Sequence, residues 1–390
     1  MDTIEYDSAM RAVQAEAREL AVGLRGLALD VDAAPAIAAA RVDATLLDSP
    51  TLRMVRHHNP APLNHFLHAL ALVELAKGDA ATLLACPGPA LAGTIVRILG
   101  DEAQNDRLVR AFDESHAHAR GYLAITEPDA GSDVTRLQSE LRPDDGDGYL
   151  LHGAKRYVGN GHRGTAGVVL ARTGPGPLAL RAALVFGRDP GLRTEALDMT
   201  GLRGAQISAM TFDGVPVRRE DLLGEHLSPL RRGMWAIQLA FNTVRVQVAT
   251  MAAGTALAVH GYVLAERHTW PVAQRFALDA AGAEAEAIRL VVLDAARALD
   301  HDLAGSAYQA STAKLVAVRH ALKLSNQLPR LLGQGALMEH PLLEKWRRDC
   351  AAFEFMEGTS HVQSLHVAQG RRKAVRSKAG AGIGAGLGPS

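Results

Sequence analysis

The chain has 390 residues, 48% of them hydrophobic and 22% charged, which suffices for two or three packed units around a sizeable buried site. Lys plus Arg and Asp plus Glu both number 42, so no charge surplus points to nucleic acid or an anionic membrane. Cys86 and Cys350 lie far apart and lack metal-ligand spacing, which argues against a disulfide framework or a metal centre and for a reducing, cytoplasmic setting.

The start, MDTIEYD, is acidic where a signal peptide is basic and then apolar, and no run reaches the ~18 apolar residues of a membrane span. Residues 1–120 are rich in Ala and Leu. Apolar residues three and four apart in Ala61–Ala76 and Ala90–Phe112 predict an N-terminal α-helical domain. Over 121–228 Pro, Gly and Asp become frequent, and β-prone runs at Gly148–His152, Gly167–Ala171, Ala182–Phe186 and Ala209–Phe212 predict a middle β-domain. Residues 229–372 return to helical patterns, Met234–Arg267, Pro271–Leu299, Ala307–Leu332 and Pro341–Gly370, whose lengths suit a four-helix bundle. The tail, 373–390, is basic and then Gly-rich and is expected to be disordered. The class is α+β, with the helical parts packed together on one side of an inserted sheet.

Four stretches carry chemistry, and each also has a plain structural reading. In AITEPDAGSD, Ala124–Asp133, Gly131 and Ser132 permit close backbone approach and Thr126 adds a hydroxyl, an arrangement suited to a planar heteroatom ring or a phosphate; Gly, Ser, Asp and Pro are also ordinary turn residues. In GAKRYVGNGH, Gly153–His162, a strand bearing Tyr157 enters a Gly-Asn-Gly turn and can bring Tyr157 and Thr126 to one ligand, or simply pack an aromatic on a core. After FNTVRV, Phe241–Val246, the helix ends in AERHTW, where Arg267, Thr269 and Trp270 offer a cation, a hydroxyl and a stacking face, or merely complement a helix terminus. In FMEGTSHVQ, Phe355–Gln363, Glu357 follows apolar residues. A carboxylate buried there has a raised pKa suited to proton abstraction, whereas an exposed one only favours a helix dipole.

In this order and spacing, and above all in TEPDAGSD at Thr126–Asp133 with GLRGAQISAMTFDGVPVRREDLLG at Gly201–Gly224, the sequence resembles the acyl-CoA dehydrogenase family over nearly its whole length. The resemblance implies N-terminal helices, a β-barrel-like middle domain and a C-terminal four-helix bundle, assembled as a homodimer or homotetramer. It implies FAD as cofactor and desaturation of an acyl thioester, borne by CoA or an acyl carrier protein, to the trans-2-enoyl product. Electrons would pass to an electron-transfer flavoprotein or to O2. By the same resemblance Glu357 is the base. Ile125, Thr126, Gly131, Ser132, Tyr157, Val158 and Gly159 hold the flavin, and Thr359 and His361 the adenosine half of FAD. Arg267, Thr269, Trp270 and Gly333 reach the cofactor of the neighbouring subunit, and Ser132, Asn242, Arg245 and Gly358 line the substrate site.

The family's alternative position for the base, immediately before Arg245, is Val244 here, so Glu357 has no competitor. Three departures stand out. Gly159 occupies the place of a threonine that bonds flavin N5, and Gly333-Gln334-Gly335-Ala336 preceded by Arg330 replaces a GGxG loop preceded by Gln. Leu278 takes the place of a glutamine at a subunit contact. A flavin monooxygenase of the same fold and a catalytically silent binding subunit remain as alternatives.

Overall fold

The computed structural model describes residues 7–36, 38, 41, 49–57, 63–114, 118–187 and 189–384. The first long helix, α1 (Ser8–Ala33), is capped by the Asp7 carboxylate, which accepts from Met10 N at 2.8 Å. Its stripe of Ala17, Ala21, Leu24, Ala28 and Val31 recurs every three or four residues and packs on α3 (His65–Ala85), which follows the short α2 (Pro50–Val55). Helix α3 is apolar on all sides and buried, with α1 against one face and the C-terminal helices against another. The helical spacing over Ala90–Phe112 is carried by two helices, α4 (Ala90–Leu99) and α5 (Glu102–Glu114). Gly100 closes the first, and the Asp101 carboxylate accepts from Gln104 N at 2.8 Å to open the second.

The middle segment forms a seven-stranded sheet of β1 (Gly121–Ala124), β2 (Glu140–Pro143), β3 (Gly148–Val158), β4 (Ala166–Arg172), β5 (Leu180–Phe186), β6 (Leu192–Ala196) and β7 (Ser208–Arg218). The order is β1-β4-β2-β3-β7-β6, with β5 pairing β4 from outside this path. Most pairings are antiparallel; β1 runs parallel to β4 with Gly121 opposite Ala166.

The chain then returns to helices: α6 (Met234–Ala265), α7 (Val272–His301), α8 (Ala307–Gln327), the short α9 (Ala336–Glu339), α10 (Pro341–Ala352) and α11 (Ser360–Gly384). Trp235–Ala265 is long and apolar enough to cross a membrane by length and composition, but 67% of its apolar window is buried inside this fold. One core runs through α1, α3, α6, α7 and α8, so the two helical parts share their apolar interior as expected. A second core joins them to the sheet, where Ile95, Leu99 and Leu108 meet Val168, Leu184 and Ile237.

Two expectations fail at the C-terminal end. The helix expected over Pro341–Gly370 is interrupted between Ala352 and Ser360, which is where Glu357 lies. Helix α11 continues to Gly384, so residues 373–384 are helical rather than disordered; residues 385–390 lie outside the described residues.

Candidate active site

The interruption before α11 is built by its own sequence. After α10 a single 3-10 turn, Phe353–Phe355, is followed by Glu357 and Gly358 with φ of 52° and 93°, both in the left-handed region. Gly358 adopts this at little cost. Glu357, which carries a Cβ, is held there by its surroundings. The Glu354 carboxylate accepts from Ser360 N at 2.7 Å and Ser360 Oγ at 2.6 Å, satisfying a donor that the start of α11 leaves unpaired. The Glu357 N–H makes no hydrogen bond among the described residues.

The Glu357 side chain is half-buried by exposure, yet protein surrounds it densely enough that burial pushes its pKa up, against the opposing charges of Arg245 and Lys314. Arg245, on α6, is buried with its Nε and one terminal nitrogen unpartnered, and its guanidinium lies 5.4 Å from the centre of the Phe241 ring. Burial lowers its pKa to about 10. A small apolar cavity beside it is lined by Ile95, Ile125, Leu170, Ile237, Phe241 and Val244, and so places Ile125 of the sheet against the α6 face next to Arg245.

Two of the motifs meet directly. Arg156 N donates to Thr126 O at 2.8 Å, and Lys155 Nζ donates to Ile125 O at 3.0 Å and to the Glu127 carboxylate at 2.9 Å. Glu127 in turn accepts from Ser139 N, Ser139 Oγ and Gln138 N. Glu127 and Lys155 are therefore a buried clasp between the two stretches. Tyr157 beside it has φ 63°, and its ring is 60% exposed under the Arg156 guanidinium at 5.5 Å. Val158 is buried, Thr126 and Gly159 are half-buried, and Gly131 and Ser132 are exposed at the loop tip.

Arg267, Thr269, Trp270 and Gly333 form a separate group. The Arg267 guanidinium stacks 5.1 Å from the Trp270 ring and donates to Leu332 O at 3.1 Å, while Thr269 is exposed beside it. Gly333 follows with φ 121° and lines a cavity of about 390 Å³ together with Arg330, Gln334 and Arg347. Arg267 follows Arg245 by 22 mostly helical residues, a separation of roughly 30 Å at about 1.5 Å per residue. Thr359 and His361 sit half-buried and exposed at the start of α11.

The Asn242 side chain is fully buried, its amide nitrogen donating to Leu303 O at 3.0 Å and its oxygen accepting from Gln238 at 3.2 Å, so it ties α6 to the loop after α7. Leu278 is likewise buried within its own chain. Sequence reasoning passed over Lys314, Glu354 and Gln363, which all bond the Glu357 turn. Lys314 alone had a readable signal: a cation on the Ala310, Ala313, Ala317, Ala321 stripe, where helical spacing demands burial.

Residues 123–215 match the middle domain of acyl-CoA dehydrogenases and residues 231–371 their C-terminal domain. The chain belongs to the acyl-CoA dehydrogenase family. A probable acyl-CoA dehydrogenase of Bacillus subtilis is 28% identical over 316 residues, 77% of this chain and 81% of that one. A glutaryl-CoA dehydrogenase of Mycobacterium smegmatis in complex with FADH2 superposes with a TM-score of 0.78 at 22% identity, over 93% of this chain and 94% of that one. The prolyl acyl carrier protein oxidase AnaB has the same fold, with a TM-score of 0.77 at 19% identity over 94% and 99% of the two chains.

Proposed function

We propose that this acyl-CoA dehydrogenase family member is an FAD-dependent enzyme that desaturates an acyl thioester at its α and β carbons, with Glu357 removing the α-proton. The observation that carries this reading is the Glu357 corner: a carboxylate under the charge of buried Arg245, with Val244 at the only other position for a base. The protein's own groups fit FAD. Tyr157 presents a largely exposed ring on the strand whose Arg156 N–H bonds Thr126 O, and the Gly333 cavity has arginines on its wall for a diphosphate. When bound, FAD supplies the acceptor for the β-hydride.

Glu357 takes the α-proton while its unpaired backbone N–H remains available to the thioester carbonyl oxygen as negative charge develops there. Burial raises the carboxyl pKa, which strengthens the base, and the Arg245 and Lys314 charges oppose that rise. The base works deprotonated. kcat/KM is therefore expected to fall as pH drops through the Glu357 ionisation, at a higher pH than a free glutamate would give, in a steady-state pH profile.

The carrier is an acyl-CoA or an acyl-carrier-protein thioester, and electrons leave to an electron-transfer flavoprotein or to dioxygen. Anaerobic mixing with a panel of both thioester classes tests the reading. Bleaching of the flavin by one class supports it and names the carrier. A flavin that no thioester bleaches would favour the monooxygenase alternative, and a colourless protein the silent-subunit alternative.

By the family resemblance Arg267, Thr269, Trp270 and Gly333, of which the first three follow the C-terminal end of α6, reach the cofactor of a second copy in a homodimer or homotetramer. Arg267→Ala is expected to lower bound flavin and to raise the fraction of small species, read by the flavin-to-protein absorbance ratio and by gel filtration with light scattering. Gly159 leaves room for a side chain, since a Cβ there meets nothing nearer than 3.9 Å. Gly159→Thr is expected to change stability by less than about 0.5 kcal/mol and to slow reoxidation of the substrate-reduced enzyme in air, measured by stopped flow. Two buried free cysteines, Cys86 and Cys350, favour a cytoplasmic location.

A further inference from the structure

Lys314 occupies a position that no surface lysine occupies. It is fully buried midway along α8, on the same face as Ala310, Ala313, Ala317 and Ala321, and among the described residues carries no carboxylate partner at hydrogen-bond distance. Its ammonium donates instead to two backbone carbonyls, Gly358 O at 2.7 Å and Glu354 O at 3.2 Å. These two carbonyls bracket Glu357. Gln363, on the first turn of α11 and also fully buried, adds a second clamp, its Nε2 donating to Glu357 O at 3.1 Å and Gly358 O at 3.3 Å.

Placing an ammonium among alanines is unfavourable unless its donors are filled, and filling them with neutral carbonyls leaves the charge uncancelled. That uncancelled charge faces Glu357. The other charged groups around the corner are Arg245 from α6, Glu354 from the 3-10 turn and His366 from α11, the last sensing Arg245. Glu354 is engaged by Ser360, so Lys314 and Arg245 are the two cations that act on the Glu357 carboxylate.

We infer that Lys314 is a positioning residue: it pins the left-handed Glu357–Gly358 backbone through the two carbonyls and holds a fixed positive charge beneath the carboxylate. It touches no reacting atom. The inference rests on Glu357 being the base and adds how that base is aimed and kept ionised. Burial brings the Lys314 ammonium down to about 8, so it remains charged through neutrality.

The test uses flavin-loaded enzyme and the thioester that bleaches it best. Lys314→Met is expected to move the acid limb of the kcat/KM profile up by about one pH unit and to lower kcat at least tenfold with a much smaller change in KM. Lys314→Arg, which keeps the charge but not the fit, is expected to restore the limb while leaving kcat partly reduced. A Lys314→Met enzyme with the wild-type limb and kcat within twofold overturns the inference. If the Met variant does not retain flavin, Lys314→Gln, which keeps a donor and loses the charge, is read against Lys314→Arg for the same shift, and an unmoved limb overturns the inference equally. Glu357→Gln measured alongside separates the two readings. Its retention of activity removes the base assignment itself, whereas an inactive Glu357→Gln enzyme with an unmoved Lys314→Met limb removes only the role of Lys314.

Discussion

Glu357→Gln is expected to lower turnover by about 10²–10⁴-fold while leaving flavin content and thermal stability near those of the parent enzyme. The amide keeps the size and shape of the side chain, and Glu357 makes no side-chain hydrogen bond among the described residues, so the substitution breaks no hydrogen bond of the fold. The backbone contacts that hold the corner, Gln363 to Glu357 O and Lys314 to Gly358 O, are untouched by the substitution. What is lost is the capacity to accept a proton. Rapid mixing with the preferred thioester reads the effect directly as the rate of flavin bleaching. A Glu357→Gln enzyme that bleached at the parent rate would show that the proton leaves by another route. Val244, at the competing position, cannot supply one.

The sequence carried the layer plan well, because short β-prone runs between Gly148 and Phe212 and apolar residues three and four apart on either side are local signals. What it did not show was of two kinds. At Ala90–Phe112 and Pro341–Gly370 a continuous apolar pattern concealed a break. The two sides of the first break pack on one interior, and α10 and α11 both contact α8, so helical spacing persists across Gly100 and across Glu357–Gly358. At Asn242 nothing nearby signals the bond its amide makes to Leu303, 61 residues away. Long-range partners of this kind have no signature in the local sequence.

The site was legible to the same extent. Glu357, Arg245, Thr126 and Tyr157 belong to stretches whose composition already suggested chemistry, and the fold places Arg245 near Glu357 and Thr126 beside the Tyr157 strand. Glu127 read as part of a binding loop, yet its carboxylate is consumed by Lys155, Ser139 and Gln138. The TEP segment is thus as much a joint between β1 and β3 as a ligand contact. Lys314 was overlooked because a lone lysine in a helix ordinarily extends into solvent. Only the alanine stripe around it argued otherwise.

Lys345→Met is expected to destabilise the fold by about 3–5 kcal/mol, for a reason unconnected with catalysis. Lys345, Asp79 and Asp349 are all fully buried, and the single ammonium bonds Asp79 and Asp349, each at 2.6 Å. Asp79 lies at a kink in α3, with φ −166° and ψ 120°, where its other oxygen caps the second half of the helix through Thr82 N at 2.7 Å. Asp349 receives Leu202 N at 2.6 Å and so joins α10 to the loop before β7. Removing the ammonium leaves two carboxylates facing each other in an apolar core. Burial already pushes Asp349 up to about 6 against the attraction of Lys345, and without that attraction it rises further. A carboxyl raised in the folded state takes up a proton on folding, so the deficit should be largest above neutrality and shrink as pH falls toward the ordinary carboxylate range near 4. Urea unfolding of the parent and variant between pH 5 and 8 measures this directly. Below its unfolding midpoint the variant should keep the parent's acid limb in kcat/KM, because the triad bonds no atom of Glu357 and Lys345 is not among the charges that act on its carboxylate. A limb that moved with Lys345→Met as it moves with Lys314→Met would mean that the triad, and not Lys314 alone, sets the charge felt by the base.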